Sequence, residues 1–431
     1  KIFKLEQNYR STQSIVGAAN SLIEKNQRQI HKEVYSKKEK GDSLGVFKAY
    51  SDVEEGEIVG NKIQALHRRE HHAWADFAIL YRTNAQSRIF EEALRKRSVP
   101  YRIYGGLSFY QRKEIKDAVA YFRLTVNPHD EEALKRVINY PARGIGDTTV
   151  GRLLQAADAH SVSLWTVLCA PQAYELSLNK GILGKLQAFR TLIEECTVLA
   201  STQTAYEAGT EIIRRTGIIA DICQDNSPEN LSRQENIEEL ANGLSDFCTQ
   251  RLEEGDTRTE LSDFLSEVSL LTDQDTDKDG DQDKVTLMTV HSAKGLEFRN
   301  VFVVGLEEGL FPSSMAGDSP RALEEERRLF YVAITRAEEH CFLSYAKSRI
   351  RFGKMEFCSP SRFLNDIDAC YLDLPENDIP ARITAPTPNY RPRQQTFVPP
   401  ASSRMKPVSR ATSASKDTPV VQEGQLIEHE R

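Results

Sequence analysis

The feature that most constrains this chain is a hydrophobic period that changes twice along 431 residues. Up to about residue 104, short apolar runs alternate with amphipathic stripes. Ile2 to Leu5 suits a short strand, and the next segment reads as a helix capped by Ser11 or Thr12, with Ile15, Ala18, Ala19, Leu22 and Ile23 on one face. Val46 to Tyr50 predicts a strand. A helix with an acidic first turn follows from Asp52, with Ile58, Val59, Ile63 and Leu66 apolar. Phe77 to Tyr81 predicts another strand, and Ile89, Phe90, Ala93 and Leu94 a helix after it. Strands and helices alternating at these lengths imply a parallel α/β sheet.

From about residue 111 to 270 only helical stripes appear, over 114–126, 130–138, 148–158, 181–199, 205–215 and 236–252. Strand signals return at Val285 to Val290 and Val301 to Val304, then a helix over 321–333 and a strand from Cys341 to Ala346. The expectation is an α/β domain in two parts, residues 1–104 and 284–372, split by a mostly helical insertion over 105–283. Beyond about 375 the chain is rich in Pro, Ser, Thr, Arg and Gln with few large apolar residues, so 373–431 is expected to be a disordered linker or tail.

With 39% hydrophobic residues the chain can bury real cores, yet 56 basic against 63 acidic residues leave a net charge of -7. Bulk positive charge therefore cannot coat a nucleic acid, and any such contact must be local. Arg95, Lys96, Arg97, Arg102, Arg112, Lys113 and Lys116 do fall among Tyr101, Tyr104, Phe109 and Tyr110. Such a span can pair with phosphates and stack on bases, or it is a solvated helix face beside core aromatics; composition alone favours the latter. Seven cysteines, far apart and never as C-x-x-C, read as reduced thiols. No run of eighteen apolar residues occurs and Lys1-Ile-Phe-Lys-Leu5 is no signal peptide, so the expectation is a cytoplasmic protein without a membrane anchor.

Three particular runs carry the chemistry: Leu5-Glu-Gln-Asn-Tyr-Arg-Ser11, Leu287-Met-Thr-Val-His-Ser-Ala-Lys-Gly-Leu-Glu-Phe298 and Glu324-Glu-Glu-Arg-Arg-Leu-Phe-Tyr-Val-Ala-Ile-Thr-Arg-Ala337. In that order they resemble motifs IV, V and VI of the superfamily 1 DNA helicases of the UvrD/PcrA/Rep family. The resemblance covers roughly residues 1 to 370. It implies a RecA-like second motor domain, of the P-loop NTPase type but without its own P-loop, in an ATP-dependent 3'-to-5' helicase of DNA repair or replication restart.

Residue by residue, the resemblance gives Arg10 and Arg336 as arginines that reach the γ-phosphate of ATP, Tyr9 as the residue stacking on adenine, and Glu297 as the ribose contact. A positive group placed where charge develops in phosphoryl transfer is worth about 10³ to 10⁵ in rate. Thr289, His291 and Ser292, at the carboxyl end of a strand, resemble contacts to the DNA backbone, and Arg82-Thr-Asn-Ala-Gln-Ser-Arg88 resembles another DNA motif, with Arg82, Asn84 and Arg88 as its polar contacts. A solvated helix start would look similar. Arg143, Gly144 and Gly146 precede a helix, where glycines let backbone N–H groups approach a phosphate; the family grips duplex DNA with such a segment, although the tripeptide alone is also an ordinary turn. The implied ligands are ATP with Mg²⁺, single-stranded DNA and single-strand/duplex junctions, with repair proteins as further partners.

No G-x-x-x-x-G-K-[ST] loop occurs, so no phosphate-loop lysine or Mg²⁺ hydroxyl is present. The chain alone is expected to be inactive. An amino-terminal RecA-like domain holding the P-loop and Mg²⁺ ligands is expected upstream of Lys1, and Gly424 to Arg431 resembles the start of a further module. Asp130-Glu131 follows Asn127-Pro-His rather than an apolar strand and reads as a helix start, and no metal site is expected. Asp275, Asp277, Asp279 and Gly280 imitate a calcium loop, but Thr286 stands where a bidentate Glu is needed and no helix pattern precedes it. Other readings are a non-enzymatic DNA-binding or regulatory module, the helicase subunit of a helicase-nuclease complex, and a serine hydrolase from Gly41-Asp-Ser-Leu-Gly45. That last elbow enters a strand rather than leaving one.

Overall fold

Residues 4, 6–29, 32–225, 227–275, 283–317, 319–351 and 354–374 are described by a computed structural model. The strands are β1 (Gln7–Asn8), β2 (Tyr35–Ser36), β3 (Leu44–Ser51), β4 (Phe77–Tyr81), β5 (Tyr101–Ile103), β6 (Val285–Thr289), β7 (Phe298–Val303), β8 (Ala337–Arg351), β9 (Lys354–Phe357) and β10 (Leu372–Asp373). The helices flanking them are α1 (Gln13–Ile23), α2 (Asp52–Glu70), α3 (Ser87–Lys96), α13 (Pro320–Ile334) and α14 (Arg362–Asp366). Between β5 and β6 lie α4 (Lys113–Val126), α5 (Glu131–Val137), α6 (Asp147–His160), α7 (Leu164–Cys169), α8 (Lys180–Thr202), α9 (Ala205–Thr216), α10 (Ile218–Ile222), α11 (Pro228–Glu253) and α12 (Leu261–Asp275).

Among the described residues the main sheet runs β10-β3-β8-β7-β4-β6-β5, every neighbouring pair parallel, with β9 antiparallel to β8. Its alternating side chains feed two cores, as the pleat demands. Ala78, Leu80, Met288, Val301, Val303 and Leu343 pack with α1, α13 and α14, while Phe77, Ile79, Tyr81, Leu287 and Phe302 pack with α2 and α3. The helices α4 to α12 share a separate apolar cluster that includes Phe109, Tyr121, Phe122, Phe189 and Leu244. This is an α/β fold with a RecA-like, mostly parallel sheet.

Local chemistry explains the elements. Ser51 caps α2 by accepting from the Glu54 N–H at 3.2 Å, with Asp52, Glu54 and Glu55 in the first turn and His67, Arg68 and Arg69 in the last, so both helix ends meet favourable charge. Thr204 and Glu207 close a capping box on α9, which ends on Gly217 in the left-handed region. Asp130 caps α5 by accepting from the Ala133 N–H, so the Asp-Glu pair is a helix start, as read.

Several expectations need correction. β8 spans fifteen residues where periodicity marked only 341–346, because β3, β7 and β9 supply hydrogen-bond partners to polar segments at both ends. The short β5, α7 and α10 escaped the pattern, as did α12. α12 runs to Asp275, so a helix does precede the acidic stretch; the rest of that calcium-like loop, residues 276–282, lies outside the described residues. So do Ile2, Phe3 and Leu5 of the first expected strand, whereas Gln7–Asn8 pair with β2. The expected tail began too early, since Leu372–Asp373 pair with β3; residues 375–431, including the Gly424 to Arg431 segment, lie outside the described residues. The basic and aromatic span around residues 95–116 resolves largely into structure. Phe109 and Tyr110 are buried, Arg112 donates to Asn236 and Ser87, Arg97 pairs with Glu57, and Arg95 donates to Glu91 and the Tyr101 hydroxyl. No helix of the described residues is long and apolar enough to cross a membrane.

The join between sheet and helical block is ionic. Arg88 on α3, 2% exposed, donates to Glu92 on the same helix and to Glu239 and Asp246 on α11 at 3.1, 2.6 and 2.7 Å. Burial pushes the Glu239 carboxyl up, and Arg88 opposes that shift. Removing the one cation strands three carboxylates. Arg88→Ala is expected to cost about 3 to 5 kcal/mol of unfolding free energy in urea titration, and a cost below about 1 kcal/mol would contradict the assignment.

Candidate nucleotide and nucleic-acid sites

The amino edge of the sheet gathers the first group. Asn8 Oδ1 accepts from the N–H groups of Arg10 and Ser11 at 2.7 and 2.9 Å, a tight Asx turn whose apex, Tyr9, is 77% exposed. Ser11 Oγ donates to the Ala337 carbonyl at 2.6 Å and the Thr12 N–H to the Glu338 carbonyl at 3.1 Å, so the turn is sewn to the start of β8. Arg10 donates from Nε to Glu297 Oε2 at 2.5 Å and from Nη1 to the Thr335 carbonyl at 3.2 Å.

Arg336 approaches the same residues. Its Nη2 donates to Thr335 Oγ1 at 3.3 Å, Nη1 to the Leu296 carbonyl at 3.0 Å, and Nε to the Val332 carbonyl at 3.1 Å. Burial, and next the like charge of Arg10, hold its guanidinium below the ordinary value, with Glu297 opposing the shift. Two arginines from distant motifs thus meet at Thr335 and the Leu296-Glu297 dipeptide. An open cleft of about 520 Å³ lies beside Arg10, lined by Asn8, Tyr9, Arg10, Lys38, Glu297 and Glu338, with Arg336 behind Thr335 and outside that lining. Lys38 donates from Nζ to the Arg10 carbonyl.

The second group sits at the opposite, carboxyl edge. Tyr81 and Thr289 are register partners at the ends of β4 and β6, so the residues following each strand lie side by side. Gln86 Oε1 accepts from the N–H groups of Arg82 and Thr83 at 3.0 and 2.9 Å, shaping that loop, and Asn84 is exposed. Thr289 Oγ1 lies 3.0 Å from Ser292 Oγ and accepts from the Ser292 N–H at 3.3 Å, which turns the exposed His291 outward. Partial burial, and then the nearby Arg82 charge, lower the His291 pKa from 6.5, with Glu326 opposing the shift. Strand-end ligands were expected at this edge. The nucleotide candidates instead occupy the other one, about 20 Å away across six residues of strand.

Helix α13 links the two edges. Glu324 to Arg328 point to successive sides because each residue turns the helix by about 100°. Glu324 accepts from the Gln27 N–H, Glu325 pairs with Arg328, Glu326 takes Arg82, and Arg327 donates to Asn26 and Asp366. Glu326 was missed as a site residue, although a signal existed: it shares the apolar stripe of Phe330 and Ala333, where a charge needs a partner. Thr335 and Lys38 carried no comparable signal.

Two expected contacts do not reach either group. Arg88 is consumed by the three half-buried carboxylates described above. Arg143 donates from Nη1 to the Val137, Tyr140 and Pro141 carbonyls and from Nη2 to the Thr216 carbonyl, above the rings of Tyr121 and Phe189, so it braces the helical block from inside. Gly144 and Gly146 remain exposed, the first in the left-handed region and the second capping α6.

A profile of the UvrD-like helicase C-terminal domain matches residues 3–348, spanning both edges and the helical block. The chain belongs to this family. It is 40% identical to DNA helicase II of Escherichia coli (strain K12) over 364 residues, covering 84% of this chain and 50% of that protein. It is 39% identical to the ATP-dependent DNA helicase PcrA of Leuconostoc citreum, covering 84% and 48%, and 38% identical to that of Bacillus subtilis (strain 168), covering 85% and 49%. The chain spans about half the length of the curated relatives it matches. Within this UvrD-like domain, the carboxyl-edge loop generates a direct test. A folded pKa below 6.5 means the unfolded chain binds a proton first, so this His291 term favours the fold at neutral pH and is lost as pH falls below about 6.5. NMR titration should place the His291 midpoint below 6.5, moving upward in Arg82→Ala; a midpoint at or above 6.5 would contradict the geometry.

Proposed function

We propose that this chain is the second motor half of an ATP-dependent 3'-to-5' DNA helicase that moves along single-stranded DNA, unwinds duplex at junctions, and serves repair or replication restart. The observation that carries the reading is the meeting of Arg10 and Arg336 at Thr335, beside an exposed aromatic and a carboxylate on one open cleft. Tyr9 offers a ring face to an adenine, Glu297 a carboxylate to ribose hydroxyls, and the two guanidinium groups a concentrated positive wall for phosphate oxygens. ATP, when bound, supplies the phosphoanhydride bond. Residues 1–104 and 284–372 act as one motor domain and 105–283 as an arm that guides duplex, with Gly144 and Gly146 offering backbone N–H groups to a phosphate.

Arg10 and Glu297 satisfy each other in this structure, while their proposed targets are opposite ends of one nucleotide. Engagement therefore exchanges one short ion pair for two ligand contacts, so binding and rearrangement of the Asn8 to Ser11 turn occur together. Arg82, Asn84, Thr289, His291 and Ser292 form the proposed DNA track, where hydroxyls and a neutral imidazole meet phosphate oxygens without the bulk charge this acidic chain lacks. Arg88 and Arg143 act as internal braces.

Among the described residues no group of three or more His, Cys, Asp or Glu is arranged to hold a metal ion. The proposal assigns the Mg²⁺ ligands and phosphate loop to a first RecA-like domain of a longer, cytoplasmic parent, and leaves this half unable to hydrolyse ATP alone. In that parent, Arg336→Ala is expected to lower DNA-stimulated ATP hydrolysis by about 10³-fold or more. DNA-stimulated turnover that survives the substitution would overturn the reading.

A further inference from the structure

Resting on that motor reading, we infer that Glu326 is a positioning residue that couples the DNA edge to the nucleotide edge, acting through Arg82. Its carboxylate is 10% exposed and is held from several directions. Arg82 donates from Nε at 3.2 Å to Oε1 and 3.0 Å to Oε2, and from Nη2 at 2.8 Å to Oε1, while the Ser313 N–H donates to Oε2 at 3.2 Å. A two-pronged, charge-assisted pair fixes the plane of a guanidinium as well as its position. Among the described residues Arg82 Nη1 makes no hydrogen bond, so the fork leaves that side of the group for a phosphate oxygen.

Glu326 stands on the helix that ends at the nucleotide edge. Eight residues, about 12 Å of helix, lead from it to Ile334, two residues before Arg336. Along that stretch Phe330, Ala333 and Ile334 are wholly buried, and Arg327 is tied to Asp366 on α14 and to Asn26 beyond α1. A helix clamped this way moves as a rod. A phosphate that draws on Arg82 therefore loads the Glu326 carboxylate, the axis of α13, and at its far end Thr335 and Arg336. The strands also run from edge to edge, but the connection between β6 and β7, residues 290–297, is a loop of turns with exposed His291, Lys294 and Gly295, and is softer than α13. Glu326 need not touch DNA or nucleotide to set how strongly one is felt at the other.

The test is steady-state ATP hydrolysis by the full-length parent as a function of single-stranded oligonucleotide concentration. Glu326→Gln keeps the shape and some hydrogen bonds but removes the charge. The expected result is a loss of about tenfold in the DNA-saturated kcat, with the half-saturating oligonucleotide concentration within about threefold of wild type. In an Arg82→Ala background the same substitution should change kcat by less than about twofold, because the path it breaks is already open. Glu326→Asp, read the same way, should retain more kcat than Glu326→Gln, and it serves if the glutamine variant melts early. A rise in half-saturating concentration with kcat unchanged would make Glu326 only a support for DNA affinity and overturn the inference. Full additivity with Arg82→Ala, or no effect at all, would do the same. A wild-type parent without DNA-stimulated hydrolysis would bring down the motor reading itself, and a simultaneous Arg336→Ala control separates that failure from this one.

Discussion

Two like-charged guanidinium groups held together are the constraint on which this structure turns. Arg10 and Thr335 lie 325 positions apart in sequence, and a single carbonyl joins them. Without compensation the two arginines would repel across the gap. Glu297 neutralises one of them, and the carbonyls of Leu296, Val332 and Thr335 absorb donors from both. The positive wall exists because three chain segments, the Asn8 turn, the residue before β7 and the residues before β8, are pinned to one edge of a parallel sheet.

That pinning depends on the sheet closing around a long helical block. The chain leaves the sheet after β5 and returns at β6, its immediate neighbour, so the interruption costs no strand pairing. The block has its own apolar core, and its tie to the sheet is ionic: a buried arginine among three carboxylates. Arg349, 11% exposed and shared by Glu55, Glu307 and Asp52, ties α2, the loop after β7 and β8 at the same carboxyl edge. The edge that carries the proposed DNA track is therefore stiffened by buried charge pairs, which suits a surface that must register a load rather than yield to it.

Much of this was legible in the sequence where periodicity is strong. The strand Phe77–Tyr81 and the helices beginning near Asp52, Lys113 and Pro320 follow from apolar spacing and caps. What could not be read was where each polar side chain goes. Arg88 and Arg82 are six residues apart in one motif and look alike as phosphate ligands, yet α3 turns the first into the join with α11 and leaves the second at a strand end. Arg143 looked like a surface grip, but the fold surrounds it with carbonyls. Tertiary pairing also lengthened β8 through Glu338 to His340 and Lys347 to Arg351, segments whose polarity hides a strand. Strand-end reasoning placed Thr289 to Ser292 at the end of β6, where the register sets them beside the residues after β4, but no local pattern reveals that Arg10 after β1 and Arg336 before β8 collect at the opposite edge.

The central claim is that Arg10 and Arg336 act as one unit on a single triphosphate. A double-mutant cycle on DNA-stimulated ATP hydrolysis in the full-length parent, with Arg10→Ala, Arg336→Ala and the pair, measures this most directly. The account predicts strong non-additivity, with the pair losing little more than the worse single variant and a coupling of about 1 to 3 kcal/mol. Two losses that simply add would mean the two groups serve separate ends, and would contradict it.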